Sequence, residues 1–134
     1  MRDVAQRVAA YCNTRVGEKL RSVSFYDESG VESVFRRPGL REEYTDGQAA
    51  HLVETARAQN EVLHGSDIEE APLGAPRAGV YAFENAFVIQ LPVTPSRGVV
   101  VTMDADVGTE LGGFLAALRR EMPPHGERPP ERAD

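Results

Sequence analysis

The stretch that decides the fold is GVYAFENAFVIQLPVTPSRGVVVTMD, residues 79–104. Gly79 to Phe83 and Ala86 to Leu91 read as two strands of a hairpin about Glu84-Asn85, where Asn85 suits the left-handed backbone that such turns use. Pro92 and Pro95 are expected to end the second strand. Gly98 to Met103, rich in valine, reads as a third. Three consecutive strands with short connections make an antiparallel sheet.

Working upstream, Leu20 to Tyr26 switches to a period of two. Val23 and Phe25 point one way, and Ser22, Ser24 and Tyr26 the other. Asp27-Glu28-Ser29-Gly30 is a turn in which Gly30 is free to take positive φ. Val31 to Arg36 returns as the second strand of a hairpin. Residues 3–19 carry Val4, Val8, Tyr11, Cys12 and Val16 at helical spacing. Between the two hairpins, Leu40 to Tyr44 suggests a short helical turn. Thr45 and Gln48 have the spacing of a capping box. A second helix then runs to about His64, with Ala49, Leu52, Val53, Ala56, Asn60 and Leu63 on one stripe. Residues 65–78, with Pro72, Gly74 and Pro76, are the least regular interior stretch, and a loop of that length in a small domain is often functional. Downstream, Val107, Leu111, Phe114, Leu115 and Leu118 predict a last helix, with Asp104 or Asp106 as its cap.

The reading is therefore one α+β domain over residues 1–122, in the order α-β-β-α-β-β-β-α, with a central five-stranded antiparallel sheet. Val23, Phe25, Phe87, Ile89, Val99 and Val101 are expected to form the sheet side of a core covered by the first and last helices. Residues 123–134, rich in proline and charge, are expected to be a disordered tail.

Composition narrows the function. The 134 residues carry a net charge of −6, which opposes nonspecific binding to nucleic-acid phosphates. No apolar run approaches the roughly 20 residues of a membrane helix, and no signal peptide is apparent, so the chain is expected to be cytoplasmic. Cys12 is the sole cysteine among 134 residues, so no intrachain disulfide forms. On an apolar helix face, Cys12 is expected to pack as a small hydrophobe. Lys19 is the sole lysine among 15 basic residues, a bias that GC-rich coding or a high-salt cytoplasm would each produce.

Chemistry-bearing patterns are sparse. His51, His64 and His125 are scattered, and His51 with Cys12 would supply two ligands where zinc needs more. Asp104-Ala105-Asp106 lacks the acids and glycine of a calcium loop. Neither a phosphate-binding glycine loop nor a nucleophile elbow is present. Arg36, Arg37 and Arg41 make a small basic patch, expected to be a solvated cluster. Gly112-Gly113 interrupts the last helix, either for close approach or as tolerated weakness. An enzyme would need His51, Asp27, Glu28 or Asp104 to converge, which their spacing does not favour. No catalytic, cofactor-binding or metal-binding residue is assigned.

Two stretches carry a resemblance. Leu40-Arg41-Glu42-Glu43-Tyr44-Thr45, leading into the second helix, and Tyr81 to Pro92 followed by Gly98 to Asp104, together resemble a family of small uncharacterised haloarchaeal proteins over roughly residues 5–120. That family implies no catalytic residues. At the level of topology the element order is similar to the roadblock/dynein-light-chain fold, a relative of profilin, whose members mostly serve as dimeric scaffolds. The implied function is a non-catalytic protein-interaction module, scaffold or regulatory, that forms a homodimer through the small-residue stripe of its second helix. The alternative is a PAS-like or GAF-like domain that senses a small molecule without a resident cofactor.

Overall fold

The computed structural model describes residues 1–39, 46–63, 72–108 and 120–121. Helix α1 (Arg2–Val16) ends at Gly17, and a 3-10 turn (Gly17–Lys19) leads into β1 (Leu20–Asp27). Strand β2 (Gly30–Arg36) follows, then α2 (Asp46–Leu63), β3 (Gly79–Ala82), β4 (Ala86–Thr94) and β5 (Arg97–Asp104), which ends in a second 3-10 turn (Ala105–Val107). The five strands form one antiparallel sheet in the order β2-β1-β5-β4-β3. The α+β class, the five strands and both hairpins are those read from the sequence. The described residues hold two α-helices where three are expected. The last helix, with Gly112-Gly113 and the apolar stripe at Leu111, Phe114, Leu115 and Leu118, lies outside them, as do Leu40–Thr45 and residues 122–134.

The first hairpin closes as its chemistry dictates. Asp27 pairs with Gly30, Gly30 takes φ 134°, and the Asp27 carboxylate accepts the Ser29 N–H at 2.7 Å. In the second hairpin Phe83 N–H bonds to Ala86 C=O at 2.8 Å across Glu84-Asn85. Asn85 does not take the left-handed conformation: among the described residues positive φ belongs to glycines alone. Pro92 does not end β4 either, which runs on to Thr94. Strand β3 begins at Gly79, opposite Gln90, so beyond that point β4 has a neighbour on one side only. A proline is tolerated in such an edge segment because no ladder partner is waiting for its missing N–H.

Two cores flank the sheet. On the first face Leu20, Val23, Phe25, Phe87, Val99, Val101 and Met103 are buried with Ala5 of α1, and Val4, Val8, Cys12 and Ile89 pack against them. This is the core read from the alternation, with Ile89 at its margin and Leu20 and Met103 added. Leu20 joins Val23 and Phe25 because the β1–β5 register slips between Leu20 and Ser22, which returns an even-numbered residue to the odd-numbered face. The second face carries its own core of Tyr26, Val88 and Val100 against Val53 and Ala56 of α2. Val53 and Ala56, two residues of the small-residue stripe of α2, are thus covered by the chain's own sheet. Among the described residues no helix is long and apolar enough to cross a membrane.

Candidate functional site

The register arranges the second face in rows across the strands. One row reads Arg36, Ser22, Thr102, Val88, Tyr81, from β2 to β3. The next reads Ser33, Ser24, Val100, Gln90, Gly79. Helix α2 is tied to the second row. Gln90 is buried and its Nε2 donates both to the Ala56 carbonyl at 2.6 Å and to Tyr26 Oη at 2.9 Å. Two further bonds hold the same half of the helix. Arg57 donates to the Asp27 carbonyl at 3.2 Å, and the Tyr81 hydroxyl donates to Gln59 Oε1 at 2.8 Å.

The first row, Ser24 and Val100 of the second, and the opening turns of α2 enclose a cleft of about 590 Å³. Its floor combines the hydroxyls of Ser22, Ser24 and Thr102 with the side chains of Val88 and Val100, and Gln48, His51, Leu52 and Thr55 form the helical wall. Phe83, Glu84 and Asn85 of the β3–β4 turn make one rim, and Arg21 and Arg36 reach the other end. Ser22 Oγ and Thr102 Oγ1 lie 2.6 Å apart, a hydrogen bond between residues 80 apart in sequence. The Thr55 hydroxyl is turned back to the His51 carbonyl at 2.9 Å, so it serves the helix rather than the cleft.

The charged end is internally paired through Asp104. Asp104 accepts from Arg37 Nη1 at 2.8 Å and from the buried Arg21 Nη1 at 3.3 Å. The Arg37 hydrogen bond, assisted by Arg21, holds the Asp104 carboxyl below the usual aspartate range, against partial burial. Arg37 also donates to the Glu18 carbonyl at 3.1 Å. It is therefore a pin between the end of β2 and the start of β1, not a member of a solvated patch; Arg41 lies outside the described residues. Asp104 precedes the second 3-10 turn without a side-chain cap bond, its oxygens being held by arginines; the last helix that it is expected to cap lies outside the described residues. Asp106, the other expected cap, pairs with Lys19 at 2.6 Å.

Of the four residues named for a catalytic constellation, Asp27 and Glu28 lie apart from Asp104. His51 lines the cleft. Asp27 and Glu28 sit at the β1–β2 turn, at the opposite end of β1 from Asp104, roughly 20 Å away at the rise of a strand. Glu28 pairs with Arg97 at 3.0 Å, a hydrogen bond that lowers its carboxyl below the usual range. Cys12 is half-buried against the first core, and burial raises its thiol pKa, which suits packing rather than nucleophilic attack. Among the described residues no three of His, Cys, Asp and Glu are grouped to hold a metal ion. His64, His125 and residues 65–71 of the irregular stretch lie outside them, while residues 72–78 carry a turn at Pro72-Leu73, with Leu73 90% exposed.

The cleft itself escapes a reading of the sequence, since Ser22 and Thr102 meet only through the β1–β5 pairing. The available signal was the unbroken run Val99-Val100-Val101, which announces a strand buried on both faces.

Comparison with known proteins gives a family. A model of the domain of unknown function DUF7522 matches residues 6–123, and the chain belongs to that family. No curated protein matches it. Membership of a family without an assigned function agrees with the expectation of an uncharacterised family.

Proposed function

We propose that this member of the DUF7522 family is a non-catalytic binding module, and that it receives a small molecule in the cleft between α2 and the second face of the sheet. The cleft carries this reading. At about 590 Å³ it falls within the roughly 300–1,000 Å³ typical of ligand pockets, and it joins apolar walls to a few convergent polar groups as such pockets do. The five-stranded antiparallel sheet is compatible with both expected likenesses, the sensor domains of the PAS and GAF kind and the roadblock/profilin kind; likeness of fold alone does not choose between them. The single lysine and the acidic surplus support an origin in a salt-rich haloarchaeal cytoplasm.

A screen of the full chain against a metabolite library by thermal unfolding tests the reading. A ligand present at a hundredfold excess over its Kd stabilises by about 2.7 kcal/mol, which raises Tm by several degrees. A screen in which no compound raises Tm contradicts the proposal.

Self-association is a second reading, favoured by β3. This edge strand exposes Val80 at 49%, and Phe83 just beyond it is 55% exposed. Exposed strand edges template pairing with another chain. Sedimentation equilibrium should then show a dimer that Val80→Lys weakens, whereas a monomer at all concentrations would rule the homodimer out.

A further inference from the structure

The proposal that a small molecule occupies the cleft leaves its chemistry open, and the floor defines that chemistry. Ser22 Oγ and Thr102 Oγ1 share one hydrogen bond at 2.6 Å. Whichever hydroxyl gives its proton to the other keeps lone pairs that can accept. The receiving hydroxyl keeps its own proton to donate. The pair therefore presents one donor and one acceptor side by side. A cyclic amide has the matching edge: its N–H and C=O heavy atoms lie about 2.3 Å apart by standard bond lengths. Val88, opposite Thr102 in the register, lines the same cleft with Val100 and Leu52, and such apolar side chains suit the faces of a ring.

Charge argues for neutrality. Arg21, at the end of the cleft, shares the Asp104 carboxylate with Arg37. An ionised ligand would give up its hydration against the hydroxyls and valines of the floor, and that desolvation is costly. We propose that the cleft binds an uncharged ring compound carrying adjacent N–H and C=O groups, read by the Ser22–Thr102 hydroxyl pair. This rests on the cleft being a ligand site.

The test is a thermal-shift and calorimetric comparison on the full chain. The probes are uracil, hypoxanthine and lumichrome, set beside 1,3-dimethyluracil, the monophosphates UMP and IMP, and naphthalene. At least one of the three lactam compounds should raise Tm. Uracil, if it binds, should lose that effect on N-methylation. Thr102→Val should weaken binding of the active lactam about tenfold, the scale of one lost hydrogen bond, with the fold checked by circular dichroism. Ser22→Ala replaces it should Thr102→Val fail to fold. Undiminished affinity in the folded variant, or equal binding of the methylated ring, would overturn the assignment. A response to naphthalene or to the monophosphates, with none to the lactams, would overturn the ligand class and leave the cleft as a binding site. No response to any compound counts against both.

Discussion

Gly98 lies beside Tyr26 in the β1–β5 register, and Tyr26 is fully buried beneath α2. A Cβ at position 98 would stand 2.7 Å from Tyr26 Cζ and 2.8 Å from the Leu91 carbonyl oxygen. The carbonyl belongs to the adjacent strand and cannot swing aside. Gly98→Ala is therefore expected to destabilise by about 1–3 kcal/mol, as overpacking does, measured by urea denaturation. An unchanged midpoint would place Tyr26 elsewhere. Asp104 gives a pH signature. Its carboxyl is lowered by Arg37 and Arg21, so below the unfolded value of about 3.9 the native state binds fewer protons than the unfolded chain. Stability from this group is present above that value and is lost as pH falls through the lower native pKa. Asp104→Asn should cost about 1–3 kcal/mol at pH 7, the scale of hydrogen bonds to a charged group, and should flatten the acid limb of a stability–pH profile. These roles were not legible in the sequence. Asp104 looked like a helix cap because it precedes a helical pattern, and its arginines lie 67 and 83 residues away.

At the scale of elements, the hairpins were legible because alternation and turn residues are local signals. Gly30, with its positive φ, and Glu84-Asn85 fall where punctuation placed them. The docking of α2 was not legible, since a stripe of small apolar residues does not say whether its own sheet or another chain will cover it. One buried side chain decides it: Gln90 joins the Ala56 carbonyl and the Tyr26 hydroxyl. Gln90→Ala removes both bonds and leaves a buried carbonyl to find water, which costs about 1–3 kcal/mol. Because the bonds tie one element, the loss should appear first as local opening. Amide hydrogen exchange should speed across residues 50–60 while β1 and β5 stay protected. Uniform acceleration throughout the chain would mean that α2 is not held by this tie.

For the whole molecule, the sheet serves two different neighbours. Its first face is apolar and closed by α1, and carries the greater part of the buried side chains. Its second face is apolar under the tied half of α2 and hydroxyl-bearing under the opening turns, which is what makes a cleft rather than a second sealed core. The first face could be read from Val23, Phe25, Phe87, Val99 and Val101, whose parity repeats on each strand. The second could not, because its polar floor assembles from strands 80 residues apart, and serines on an alternating strand read as solvent-facing. The central claim, that this cleft binds a small molecule, is tested most directly by two-dimensional ¹⁵N NMR of the full chain, titrated with the compound that raises Tm most. The account predicts shift changes concentrated at Ser22, Ser24, Thr102 and residues 48–55, with α1 unmoved. Changes confined to α1 or to the β3 edge, or none at saturating compound, would contradict it.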